Sequence, residues 1–177
     1  DPMHIDDAVS DFPDVKFIIL HAGAPLMEFF EKALLAACRN HNVYLQFDFW
    51  IHGFFGVPNF IPSFTTDAEA VGRLLARARD VIGGQNMLYG TDTHSGPSVH
   101  GDTLFRRDSG FNLGGAITWL RDLPNSARQY GVSFTKEEID LFLGENAARL
   151  LGINGYPKRE TPHTFGWKRR SPSPYKG

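Results

Sequence analysis

Apolar positions recur along this chain with two periods, one near 3.6 and one of continuous short runs, and the switches between them mark its elements. Ile5 to Phe12 reads as a short helix closed by Pro13, which disfavours helix in the residue before it. Val15 to Leu20 follows as an almost wholly apolar strand, the pattern of a strand buried on both faces. From Met27 to Arg39 the apolar residues Phe30, Ala33, Leu34, Ala37 and Cys38 keep a helical period that Asn40-His41-Asn42 breaks, and Val43 to Phe47 predicts a second strand. A loop rich in aromatics and glycine spans Asp48 to Phe64. Thr66-Asp67-Ala68-Glu69 is then a capping box for a helix with Val71, Leu74, Leu75, Ala78 and Ile82 inward, stopped by Gly83-Gly84.

Met87-Leu88-Tyr89 predicts a third strand, followed by a polar loop from Thr93 to Leu113 and a helix from Gly114 to Arg121. A second capping box, Thr135-Lys136-Glu137-Glu138, opens a helix with Ile139, Phe142, Leu143, Ala147, Leu150 and Leu151 on one face, capped by Gly152. Asn154 to Gly177 holds four of the eleven prolines and no periodicity, so it predicts an extended arm. Helices alternate with apolar strands, and the long loops come only after strands. That order predicts βα units in a parallel sheet whose active face lies at the strand C-termini. Three strands cannot close a barrel, which takes eight, so residues 1–153 are expected to be the C-terminal portion of a larger α/β unit.

Two strand ends carry chemistry. Phe17 to Leu20 runs into His21-Ala22-Gly23, and Met87 to Tyr89 runs into Gly90-Thr91-Asp92. An imidazole there can act as ligand or as general acid/base, with Ala22-Gly23 leaving backbone room for a ligand; a carboxylate there can bind a divalent cation or take a proton from its water. The plain alternatives are a core histidine bonded to a carbonyl and an N-cap or turn aspartate. His52, beyond the second strand, and His94 and His100, beyond the third, are candidates for substrate contact, with solvated loop histidines as the alternative. Trp50, among Phe47, Phe49, Phe54, Phe55, Phe60 and Phe64, is a candidate for an aromatic substrate wall, with loop packing as the simpler account. Arg106 and Arg107 could hold a substrate carboxylate, or lie in solvent. Glu28 and Glu31 read as first-turn helix charges, and His4, His41 and His163 as surface residues.

Composition narrows the classes. The chain has 177 residues, 42% hydrophobic and 13% aromatic, enough for a packed core. A net charge of -2 argues against a nucleic-acid partner, although residues 158–177 carry six Lys or Arg against one acid, which leaves residues 1–157 at -7. The basic, aromatic stretch Phe165 to Arg170 is expected to wrap a neighbouring subunit or the other half of a barrel. One cysteine, Cys38, excludes an internal disulfide and suits a reducing cytoplasm; no apolar run is long enough for a bilayer and Asp1-Pro2-Met3-His4 is not a signal peptide.

The ordered set Asp1-Pro2-Met3-His4-Ile5-Asp6-Asp7, Phe12-Pro13-Asp14-Val15-Lys16, Ile18-Ile19-Leu20-His21-Ala22-Gly23, Asn42-Val43-Tyr44-Leu45, Met87 to Asp92 and Gly144-Glu145-Asn146-Ala147-Ala148-Arg149-Leu150-Leu151-Gly152 resembles the amidohydrolase superfamily, in the branch of aminocarboxymuconate semialdehyde decarboxylase. The resemblance covers residues 1 to about 153. It implies a (β/α)8 TIM barrel of which this chain supplies roughly strands six to eight, and a divalent metal, Zn first with Mn or another ion as alternatives. Asp92 then matches the residue that binds the metal or takes a proton from its water, and His21 the one beside the metal that polarises substrate, moves protons or ligates. Family sites also use a His-x-His pair and a further histidine. No His-x-His occurs among the seven histidines, so either those ligands come from a preceding segment or a partner chain, in a homo- or hetero-oligomer, or the site has degenerated. The implied activity is hydrolysis of an ester, lactone, amide or related bond of a small substrate. Non-oxidative decarboxylation of a carboxylated aromatic or enoic acid and a non-catalytic partial-barrel subunit are the alternatives.

Overall fold

Three short strands, β1 (Phe17–Ile19), β2 (Val43–Phe47) and β3 (Met87–Tyr89), lie side by side in chain order as a wholly parallel sheet. The computed structural model describes residues 1–51, 68–91 and 113–153, with side chains from 115 onward in the last stretch. Phe17 pairs with Val43 and Ile19 with Leu45; Leu45 pairs in turn with Met87 and Phe47 with Tyr89. Parallel neighbours need crossovers, and these are α2 (Met27–Arg39) between β1 and β2 and α3 (Ala68–Ile82) before β3. Helix α1 (Ile5–Asp11) precedes the sheet, and α4 (Leu113–Ser126), α5 (Lys136–Asp140) and α6 (Asn146–Leu150) follow it. No helix among the described residues is long and apolar enough to cross a membrane.

The alternation of a strand decides what each face meets. Val43, Leu45 and Phe47 of β2 are buried in one core with Phe30, Ala33 and Leu34 of α2, Val71, Leu75 and Ala78 of α3, and Leu120, Leu123 and Phe142. Ile18, Tyr44 and Gln46 lie on the opposite face. Ile18 is 41% exposed and Leu20 is exposed beyond it, so the expected strand Val15 to Leu20 is both shorter and less enclosed than its apolar run implies. Cys38, expected on the inner face of α2, is exposed, and Ala36 is buried instead. Glu31 is more than a first-turn charge: it accepts from Arg77 Nε at 2.8 Å and Nη2 at 2.6 Å, a fork between α2 and α3 that holds its carboxyl below the ordinary range.

Two buried asparagines tie down the segments that enter the strands. Asn42 Nδ2 donates to Pro13 O at 3.2 Å and Val15 O at 2.8 Å, ahead of β1. Asn146 Nδ2 donates to Gly84 O and Met87 O, both at 2.8 Å, at the start of β3. The capping box at Thr135 forms as expected: Glu138 N donates to Thr135 Oγ1 at 3.1 Å and Thr135 N to Glu138 Oε2 at 2.8 Å. The helix it opens does not keep one face. A wide turn at Leu141–Glu145, with Gly144 extended at φ 178°, shifts the register so that Asn146 and Ala148 face inward where Ala147 was expected. Helix α4 also passes its expected end at Arg121 and runs through Pro124, because Leu120, Leu123 and Ala127 bury one continuous stripe and packing overrides the lost backbone bond. The capping box at Thr66, the loop 93–112 and the arm 154–177 lie outside the described residues.

Candidate active site

His21 leaves β1 on a backbone that turns sharply. His21, Ala22 and Gly23 all have positive φ, at 60°, 44° and 78°. For the first two, carrying a Cβ, this costs of order 1 kcal/mol each, so the turn persists only if its surroundings hold it. They do at every residue. The His21 N–H donates to Gln46 Oε1 at 3.0 Å, the Ala24 N–H donates to His21 O at 2.8 Å, and Trp50 Nε1 donates to Ala22 O at 3.4 Å. Gly23 is obligatory for a second reason: a Cβ there would lie 2.4 Å from the Phe29 carbonyl carbon in α2. The room expected for a ligand at Ala22-Gly23 is therefore filled by the first turn of α2.

The turn presents the imidazole to Asp48, the residue directly after β2. His21 Nδ1 is 2.8 Å from Asp48 Oδ1 and 2.9 Å from Oδ2. A carboxylate only accepts, so Nδ1 carries the proton and, in the neutral ring, Nε2 presents a lone pair. Asp48 is 1% exposed. A buried carboxylate needs compensation, which it receives from His21 Nδ1, from Gln46 Nε2 at 3.0 Å and from the Phe49 N–H at 2.5 Å. Phe49 packs edge-on against the imidazole, with centroids 4.4 Å apart, and closes one side of it. The His21 side chain is 36% exposed, and no hydrogen bond to another described residue engages Nε2.

Trp50, a candidate for a substrate wall with loop packing as the simpler account, is turned into the core. It is 2% exposed and packs against Phe30 at 5.6 Å, supporting the His21 turn from behind. Asp92 follows Thr91, the last described residue after β3, and it lies outside the described residues together with His52, His94 and Arg106. Among the described residues no group of three or more His, Cys, Asp or Glu side chains is placed to hold a metal ion. Asp48 is the site residue that sequence reasoning missed. Its signal was the one used for His21 and Asp92, a polar residue directly after an apolar strand, here Val43 to Phe47. His4 and His41 are exposed, as expected.

Tyr89 completes the surroundings. Its ring packs on Phe142 at 6.0 Å, and its buried hydroxyl has no hydrogen-bond partner among the described residues. Burial, then the negative charge of Asp48, pushes the phenol up to about 12.

Neither a curated protein nor a solved structure matches the chain. A family model described as amidohydrolase matches residues 1–153, a span that takes in β1 to β3, the His21–Asp48 pair and the Asn146 clamp. On that match across most of its length, the chain belongs to the amidohydrolase family.

Proposed function

We propose that this chain carries one side of a metal-dependent hydrolase centre that cleaves an ester, lactone, amide or related bond of a small substrate. The observation that carries the reading is the His21–Asp48 pair at the C-terminal ends of adjacent parallel strands, the end at which α/β barrels assemble their sites. Family membership supports hydrolase or decarboxylase chemistry in general, on a TIM barrel of which this sheet would form roughly strands six to eight.

His21 does the proton work in this reading. Asp48 fixes the ring and its tautomer, which leaves Nε2 free to hydrogen-bond the substrate oxygen on which charge develops, or to pass a proton to the leaving group. When Nε2 takes up a proton, the buried carboxylate stabilises the resulting imidazolium without itself being protonated. The donor chemistry fits a divalent ion. An imidazole steadied by a carboxylate stands at the end of β1 and a second carboxylate, Asp92, follows β3 in sequence; Asp92 would hold the ion, with His21 Nε2 beside it. Such an ion, Zn first, supplies Lewis-acid polarisation and a bound water of lowered pKa.

The test pairs Zn2+ titration of the 177-residue chain, alone and together with any chain that co-purifies with it, with assays of both samples on an aryl ester, a γ-lactone, an anilide and a hydroxybenzoate. Zn2+-dependent hydrolysis of one of the first three, lowered about 10²- to 10⁴-fold by His21→Ala, is the expected result. Release of carbon dioxide from the hydroxybenzoate alone would replace hydrolysis by decarboxylation. Absence of both Zn2+ binding and turnover in both samples would leave a non-catalytic interaction domain.

A further inference from the structure

Gln46 is hydrogen-bonded to both members of the His21–Asp48 pair. Its Oε1 accepts from the His21 backbone N–H at 3.0 Å, and its Nε2 donates to Asp48 Oδ2 at 3.0 Å. Asp48 in turn binds His21 Nδ1, so the three residues close a ring of hydrogen bonds. The orientation of the amide is forced. A backbone N–H can only donate and a carboxylate can only accept, and a flipped amide would set donor against donor and acceptor against acceptor. No other uncharged side chain of this length supplies an acceptor and a donor on one rigid plane.

The amide sits against the exit of the neighbouring strand β3. It lies over Gly90, the residue after β3, where a Cβ would fall 1.8 Å from Gln46 Nε2, 2.8 Å from Cδ and 3.1 Å from Cγ. Gly90 is not among the glycines with positive φ, so its backbone makes no demand for glycine. The demand comes from the space that the Gln46 side chain occupies.

We propose that Gln46 is the positioning residue for His21 and Asp48, and that Gly90 is glycine so that the Gln46 amide has room beside the exit of β3 while it holds them. The proposal deepens the assignment of proton transfer to His21 and rests on that reading for its functional meaning. Gln46 touches no reacting atom. It holds the left-handed backbone of His21 through one end and the Asp48 carboxylate through the other, so a change at Gly90 propagates to the imidazole two strands away.

The experiment uses the full 177-residue chain without substrate, so it stands or falls separately from the hydrolase reading. Amide hydrogen exchange at His21 and the ¹H–¹⁵N spectrum of its ring, recorded near pH 9 and assigned with His21→Gln, are compared across Gln46→Ala, Gly90→Ala and the double variant. In the parent chain the proton sits on Nδ1. Gln46→Ala is expected to speed His21 amide exchange by roughly 5-fold or more, the effect of losing one hydrogen bond, and to mix the two ring tautomers. Gly90→Ala should reproduce both changes and lower the unfolding midpoint about as far as Gln46→Ala does, since its Cβ displaces the Gln46 side chain from the same two partners. The double variant should go no further than Gln46→Ala alone, as expected when two substitutions act through one contact. Should Gly90→Ala unfold the chain, recovery of folding in the double variant would support the same clash. Unchanged His21 signals in Gln46→Ala, or additive effects in the double variant, would overturn the proposal.

Discussion

The two carboxylate oxygens of Asp48 bracket the Nδ1 of His21 at 2.8 and 2.9 Å, although 27 residues separate the pair in sequence. The bond joins the ends of β1 and β2, so strand pairing sets its geometry before either side chain chooses a rotamer. This gives the imidazole a fixed tautomer at the C-terminal end of the sheet, where no described residue bonds its other nitrogen.

Asp48→Asn is the direct test of that arrangement. An amide of the same shape turns either its oxygen or its NH2 toward three donors, so at least one buried partner is left unmet, at a cost of about 1–3 kcal/mol in urea unfolding. The expected loss of turnover, or of Zn2+ affinity, is about 10- to 100-fold, the usual effect of removing the residue that orients an active histidine. A variant that keeps full activity would remove Asp48 from the mechanism.

Gly23 and Gly144 make a contrasting pair. At Gly23 an alanine would require φ near 78° and would drive its Cβ to 2.4 Å from the backbone of Phe29, which no side-chain movement relieves. Gly23→Ala should cost roughly 3 kcal/mol or more and displace the His21 turn. At Gly144 the backbone is extended at φ 178° and no described residue lies within 4 Å of where an added methyl would sit, so Gly144→Ala should be neutral or stabilise by about 0.5 kcal/mol. Denaturant midpoints of the two variants decide both.

Asn146→Ala probes the clamp on β3. Asn146 is fully buried, and its Nδ2 serves two carbonyls, Gly84 O and Met87 O. Truncation strands both acceptors and leaves a small void, for an expected loss of about 2–3 kcal/mol. Asn146→Asp should be worse, since it sets a carboxylate against two carbonyl oxygens. Urea unfolding of the two variants measures the order.

What was legible in the sequence follows the range of the forces involved. Helix α2 and strands β2 and β3 were readable to the residue because local periodicity and the breakers Asn40 and Gly83 agree with the packing. The Thr135 capping box needed only four consecutive residues. Misreadings arose where tertiary contacts override local rules. Pro124 would end an isolated helix, yet the buried stripe of Leu120, Leu123 and Ala127 carries α4 past it. Gly144 hides a register shift because an extended glycine leaves no mark on the apolar pattern. Trp50 was a candidate for a substrate wall beside the simpler account of loop packing, and packing holds because Phe30 and the Ala22 carbonyl, both distant in sequence, draw it inward. Asp48 went unrecognised as the partner of His21 because that pairing exists only once β1 and β2 are in register.

Tyr89 makes the pH dependence specific. Its hydroxyl titrates near 10 in an unfolded chain and is raised to about 12 in the folded one, by burial first and then by the Asp48 charge. Between those values the unfolded state has released the proton while the folded state keeps it, so unfolding releases a proton and stability falls as pH rises. The stabilisation is complete below pH 10 and is lost as pH passes through the folded value. Tyr89→Phe removes this dependence, so the difference in unfolding free energy between parent and variant should grow in the variant's favour from pH 10 to 12. Below pH 10 the same substitution deletes a buried hydroxyl that has no partner among the described residues, and it should be neutral or stabilise by about 1 kcal/mol. Urea unfolding of both proteins at pH 8, 10 and 11.5 reads the two effects separately. Parallel pH profiles would mean that Tyr89 titrates alike in both states, and a loss of stability at pH 8 would mean that its hydroxyl has a partner in the folded chain.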